Sequence, residues 1–131
     1  MGAWGLGSFE NDDALDWVID LESTSDMTLI SDTLSVVNES EEDYLDASDS
    51  SFPIVAAEVV AALGGKPADE LPDEVVKWVQ GKGEPGPDLV SGAKQAISAV
   101  LDSSELKELW EETDEFEIWV NDVESLLERL G

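Results

Sequence analysis

Two residue types are missing from this chain of 131 residues, and each absence removes chemistry. Without cysteine there is no disulfide, no thiolate nucleophile and no Cys-ligated zinc or iron–sulfur centre. Without histidine there is no Ser-His or Cys-His catalytic pair and no imidazole ligand for a metal. Basic residues are scarce: 6 Lys and Arg face 32 Asp and Glu, a formal net charge of −26. None of the six precedes Lys66, so no side-chain ion pair can form within residues 1–65. Such a surface repels nucleic-acid phosphates and anionic lipid headgroups, and attracts basic protein surfaces and cations. Long apolar runs are also lacking, and nothing approaches the ~20 residues that span a bilayer. The opening MGAWGLGSFENDD has neither a basic n-region nor an apolar h-region, and Leu6 stands where a myristoylation motif wants Ser or Thr. A cytoplasmic protein without a membrane segment is expected.

Leu, Ile, Val and Phe make up roughly 27% of the chain, above the ~20% below which highly charged sequences stay disordered. Five Trp residues add core-forming bulk. Helical spacing recurs throughout. Ala14, Trp17, Val18 and Leu21 form one stripe of a first helix, capped by Asn11 or Asp12 and ending near Glu22. Met27, Ile30, Leu34 and Val37 continue the period. The polar stretch Asn38–Ser51 reads as a loop with at most one turn around Tyr44 and Leu45. Pro53 then opens IVAAEVVAAL, a helix apolar nearly all round except at Glu58, which predicts the central buried element; Gly64 and Gly65 end it. A fourth helix from Pro72 carries Val75, Val76, Trp78 and Val79. GKGEPGP, Gly81–Pro87, is a loop, and a fifth helix follows from about Asp88 with Val90, Ala93, Ile97 and Val100 on one side. Ser103 or Ser104 caps a sixth helix bearing Leu106, Leu109 and Trp110. Asp114 and Glu117 have capping-box spacing for a seventh, whose stripe is Phe116, Trp119, Val120, Val123, Leu127 and Leu130. No period-2 alternation and no repeat of 20–50 residues competes with this pattern. The expected fold is all-α, one domain over residues 1–131 built as a compact bundle of six or seven short helices.

Gly2, Gly5 and Gly7 do not form a phosphate cradle, because no strand precedes them and no Lys follows. They are expected to let the backbone turn tightly while Trp4, Leu6 and Phe9 dock onto the core. The strings MGAWGLGSFENDDALDW, AAEVVAAL, LPDEVVKWV and SSELKELWEE together resemble a bacterial family known only as domain of unknown function 4259. The resemblance covers most of the chain, outside the acidic stretch Glu39–Asp49. It implies that Gly2, Trp4, Gly5, Phe9, Asp12, Asp13, Ala14, Asp16 and Trp17 occupy a family signature. It brings no activity and no cofactor, so no residue inherits a catalytic role.

The acids of that signature are the candidate site. Asp12, Asp16 and Asp20 repeat every fourth residue, roughly 6 Å per step along a helix, beside Asp13. Like charges at that spacing cost a few tenths of a kcal/mol each. First-turn acids suit the helix dipole, which accounts for Asp12 and Asp13 but not for Asp20. A solvated acidic face, a basic partner and a divalent cation all fit the spacing. An EF-hand does not, since neither DASDSSFP nor ENDDALDW holds the calcium-loop pattern. Catalysis would have to use carboxylates, Lys, Tyr44 or hydroxyls; with 32 acids, chance pairs say nothing specific about glycoside hydrolysis. A carboxylate-bridged di-metal site would want Glu-x-x-His motifs, which this chain lacks. Trp78, Trp110 and Trp119 lie on apolar stripes and are expected in the core.

The expected function is that of a non-enzymatic protein-binding module, of inhibitor, immunity or DNA-mimic type, whose carboxylates meet a basic protein partner. Carboxylates one helical turn apart approximate the spacing of phosphates along a strand. A salt-adapted acidic protein with another function, a divalent-cation-binding module and a carboxylate-based enzyme are the alternatives.

Overall fold

A computed structural model of the protein describes residues 12–24, 27–38, 47–66, 73–80, 82–102 and 104–130. Among these residues there are seven helices and no strand: α1 (Asp12–Glu22), α2 (Thr28–Asn38), α3 (Ala47–Leu63), α4 (Asp73–Val79), α5 (Pro87–Asp102), α6 (Glu105–Glu111) and α7 (Phe116–Arg129). The fold is an all-α bundle, as the spacing of the apolar residues demands.

The bundle is organised around α3. Its run Ile54–Leu63 offers apolar or small side chains in every direction, so the low-energy solution is to surround it. Each of the other six helices packs against it. Around this axis α1 lies beside α4, α2 beside α5, and α5, α6 and α7 touch one another. Buried residues from all seven helices join one apolar cluster. Trp78, Trp110 and Trp119 are buried in it, as is Trp17.

The ends of the helices follow from local chemistry. Beyond α3, Lys66 N–H donates to the Ala61 carbonyl (2.9 Å) and Gly65 N–H to that of Ala62 (3.1 Å). This double bond pattern places Gly65 at φ 87°, a left-handed conformation that a Cβ would strain. The hydroxyl groups of Ser23 and Thr24 donate to the Asp20 and Leu21 carbonyls and close α1. The Thr24 carbonyl then accepts the Trp78 indole N–H at 3.0 Å, tying that end to α4. Of the two serines expected to cap α6, Ser104 serves: its Oγ accepts from Lys107 N–H and donates to the Val100 carbonyl.

Four details depart from expectation. The stretch 38–51 is not loop to its end, because α3 begins at Ala47 and Pro53 is its seventh residue. A proline within a helix forfeits one hydrogen bond and crowds the preceding turn, at about 3 kcal/mol in an isolated helix. Tertiary packing overrides that local penalty here, for Pro53 is buried and Phe52 packs against the core. The Gly/Pro loop 81–87 ends one residue early, since Pro87 itself heads α5, where its missing N–H costs nothing. Asp114 and Glu117 do not form the capping box of α7. The helix starts at Phe116 behind Glu115, which makes no side-chain cap bond. Thr113 serves instead, donating its hydroxyl to the Trp110 carbonyl and accepting from Glu115 N–H. On α7, finally, Leu126 is fully buried while Leu127 is only partly so, which turns the stripe by one residue.

Candidate functional site

The buried stripe of α1 (Ala14, Trp17, Val18, Leu21) turns its other face outward, and there carboxylates alternate with apolar side chains. Asp16 and Asp20 are exposed, and so are Leu15 and Ile19, the latter at 64%. Neither carboxylate has a cationic partner among the described residues. Asp12 and Asp13 occupy the head of α1, but their side chains lie outside the described ones. Gly2, Trp4, Gly5 and Phe9 also lie outside the described residues. Of the proposed signature, Trp17 is placed in detail. Its ring is buried against the core, and its indole N–H donates to Thr33 Oγ1 on α2 at 2.9 Å. The Thr33 hydroxyl in turn donates a hydrogen bond to the Leu29 carbonyl at 2.8 Å.

That bridge spans a gap. α1 and α2 each pack on α3 but do not form a packed pair with each other. Between them opens a cleft of about 360 Å³. Asp16 and Asp20 line it from α1, Thr33 and Val36 from α2, and Phe52 with Pro53 from the first turns of α3. Val36 is 64% exposed and gives the cleft part of its apolar lining. Sequence reasoning found the two carboxylates but missed Thr33, Val36 and Phe52. The available signal was Val36 falling off the Ile30–Leu34 stripe of α2 while remaining apolar. A second hollow of about 460 Å³ lies between α2 and the start of α5, bordered by Met27, Leu34, Asp88 and Leu89.

Where α3 meets α7, Glu58 is the one carboxylate among the described side chains that is buried. Arg129 from the last turn of α7 approaches it at 2.7 Å from Nη1 to Oε1. The guanidinium N–H groups do not point at that oxygen, which gains charge attraction without a hydrogen bond. Arg129 also donates to the Lys66 carbonyl at 3.4 Å. This pair holds α7 onto the central helix and opens onto neither hollow.

No group of three or more carboxylates converges in a metal-binding arrangement among the described residues, and no described helix is long and apolar enough to cross a membrane. Neither a curated protein nor a solved structure matches the chain. A family model does match, over residues 2–122, and nearly the whole described bundle falls within those bounds. The chain belongs to the domain of unknown function family DUF4259.

Proposed function

We propose that the protein is a non-enzymatic binding module that offers the outer face of α1 to a basic protein partner, in the manner of an inhibitor or immunity protein. One observation carries this reading: Asp16 and Asp20 stand exposed without a cation, among exposed Leu15, Ile19 and Val36. Carboxylates serving solubility alone need no apolar neighbours, whereas an interface combines an apolar centre with a charged rim. The excess of negative charge steers a basic protein toward that face and raises its association rate.

Immobilised protein, exposed at low salt to a lysate of its source, should retain one predominant basic partner and release it at molar salt. Screening shortens from about 30 Å to about 3 Å over that range, which removes attraction between exposed charges. A diffuse collection of proteins, or a partner indifferent to salt, would overturn the reading. Replacing Asp12, Asp16 and Asp20 together with Asn should weaken capture while leaving the melting temperature unchanged or higher. Loss of capture through unfolding would be seen directly in the melting curve.

A further inference from the structure

We infer that the cleft between α1, α2 and the start of α3 is the seat of an exposed arginine flanked by an apolar side chain on the partner protein. This rests on the basic-partner reading above and adds the place and the chemistry of docking. The decisive feature is that the described lining accepts hydrogen bonds and has none left to give. The Trp17 N–H is committed to Thr33, and the single Thr33 hydroxyl proton to the Leu29 carbonyl. Pro53 has no N–H, and Val36 and Phe52 have no polar side-chain atoms. What remains are the carboxylates of Asp16 and Asp20, both pure acceptors when ionised. Among the described lining residues, a carbonyl, a phosphate or a carboxylate would meet no free side-chain donor. An occupant must bring its own donors and a positive charge.

Arginine fits better than lysine. Asp16 and Asp20 are one turn apart, about 6 Å along the axis, and a planar guanidinium with five donors in a fixed fork spans them with less loss of hydration than a compact, strongly hydrated ammonium. Guanidinium is also weakly hydrated and stacks on aromatic rings, and Phe52 supplies a half-buried one at the cleft. The apolar remainder, Val36 with the edges of Phe52, takes an adjacent aliphatic group. A volume of about 360 Å³ holds a few side chains and sits at the lower end of the ~300–1,000 Å³ of small-molecule sites.

The probe is a fluorescein-labelled hexapeptide of alternating arginine and leucine, followed by anisotropy at about 0.15 M salt, where diffuse attraction is screened beyond ~8 Å. It should bind more tightly than a peptide of alternating arginine and serine. Asp16→Asn with Asp20→Asn should cut its affinity about tenfold, the sum of two exposed to half-buried charge contacts. Glu124→Gln with Glu128→Gln removes the same charge from exposed sites on α7 and should change affinity less than about twofold. Val36→Glu adds an attractive charge, yet should weaken binding because it fills the apolar half of the cleft. All three substituted positions in the cleft are exposed, so circular dichroism should report an unchanged fold. Equal losses in the two double variants, or tighter binding by Val36→Glu, would overturn the cleft as the seat while a basic partner stood. Self-association abolished by Val36→Glu, with no peptide bound, would overturn it in favour of a second copy. Failure of the lysate capture described above would remove the basic-partner reading itself.

Discussion

Near α4, α6 and α7, three of the six cations make contacts within the fold. Arg129 neutralises the buried Glu58 carboxylate of α3, Lys82 stands 4.7 Å from the centre of the Trp78 ring, and Lys107 reaches the Asp102 carbonyl. Around α1 and α2 there is no cation in the sequence at all, yet exposed carboxylates adjoin exposed apolar side chains. Net charge alone would suggest a uniform acidic coat. The distribution is less even: Arg129 is set against the buried Glu58 carboxylate, while exposed Asp16 and Asp20 on α1, like Glu124 and Glu128 on α7, have no ion pair among the described residues. What sets the α1 face apart from the equally acidic outer face of α7 is its cleft, where exposed Asp16 and Asp20 adjoin Val36 and Phe52.

The sharpest way to break this contrast is at Arg129. Arg129→Ala would leave Glu58 buried and uncompensated, and removing one partner of a buried pair costs about 3–5 kcal/mol. The Arg129 side chain is itself 20% exposed against 4% for Glu58, so the lower end, about 3 kcal/mol, is expected. Urea unfolding followed by circular dichroism measures it. Replacing both residues with Met should recover most of the loss, since an apolar pair of similar volume is often as stable as a buried ion pair. If Arg129→Ala unfolded at the wild-type midpoint, the assignment of cations to the fold would be wrong.

Much of this architecture was readable beforehand, and the failures share a cause. The central role of α3 follows from residues 54–63 alone, because a helix without a polar face has only one place to go. The start of α3 did not follow, because the rule that puts proline in a first turn is local, while the burial of Phe52 and Pro53 is decided by distant helices. Thr113 took the place assigned to Asp114 because α7 starts two residues after Asp114, behind Glu115, and the Thr113 hydroxyl bonds both ways across the turn. For the site, Asp16 and Asp20 were visible as an off-stripe pair on one helix. The cleft was not, because Val36, Thr33 and Phe52 come from two other helices and no single periodicity joins them. Of the Glu58–Arg129 pair only Glu58 was visible, as the exception in an otherwise apolar helix; nothing in the sequence pointed to Arg129 as its partner.

A smaller effect sharpens the same contrast from the other side. Asp20 lies in the last turn of α1, which contains no basic residue, so its charge opposes both Asp16 and the helix dipole. Asp20→Lys reverses both terms and should stabilise the protein by about 0.5 to 1 kcal/mol, read as a higher urea midpoint. The same variant should bind the arginine–leucine peptide worse than wild type. Stability and binding moving in opposite directions is what a surface kept for a partner predicts; a carboxylate retained for the fold would move them together.

The smallest effect tests whether Lys82 belongs to the fold at all. Its ammonium lies 4.7 Å from the centre of the Trp78 ring, inside the range of a cation–π contact, and that ring also holds Thr24 at the end of α1. Lys82 is half-buried and not fully desolvated, so the contact is worth about 0.5 kcal/mol. Lys82→Met keeps most of the aliphatic stem and removes the charge, which separates cation–π attraction from simple coverage of the ring. A shift of about 0.5 kcal/mol in the urea midpoint for Lys82→Met, with Lys82→Arg near wild type, assigns the role to the charge. An unchanged midpoint for Lys82→Met would reduce the contact to coverage, and would leave Arg129 as the one cation whose charge the packing requires.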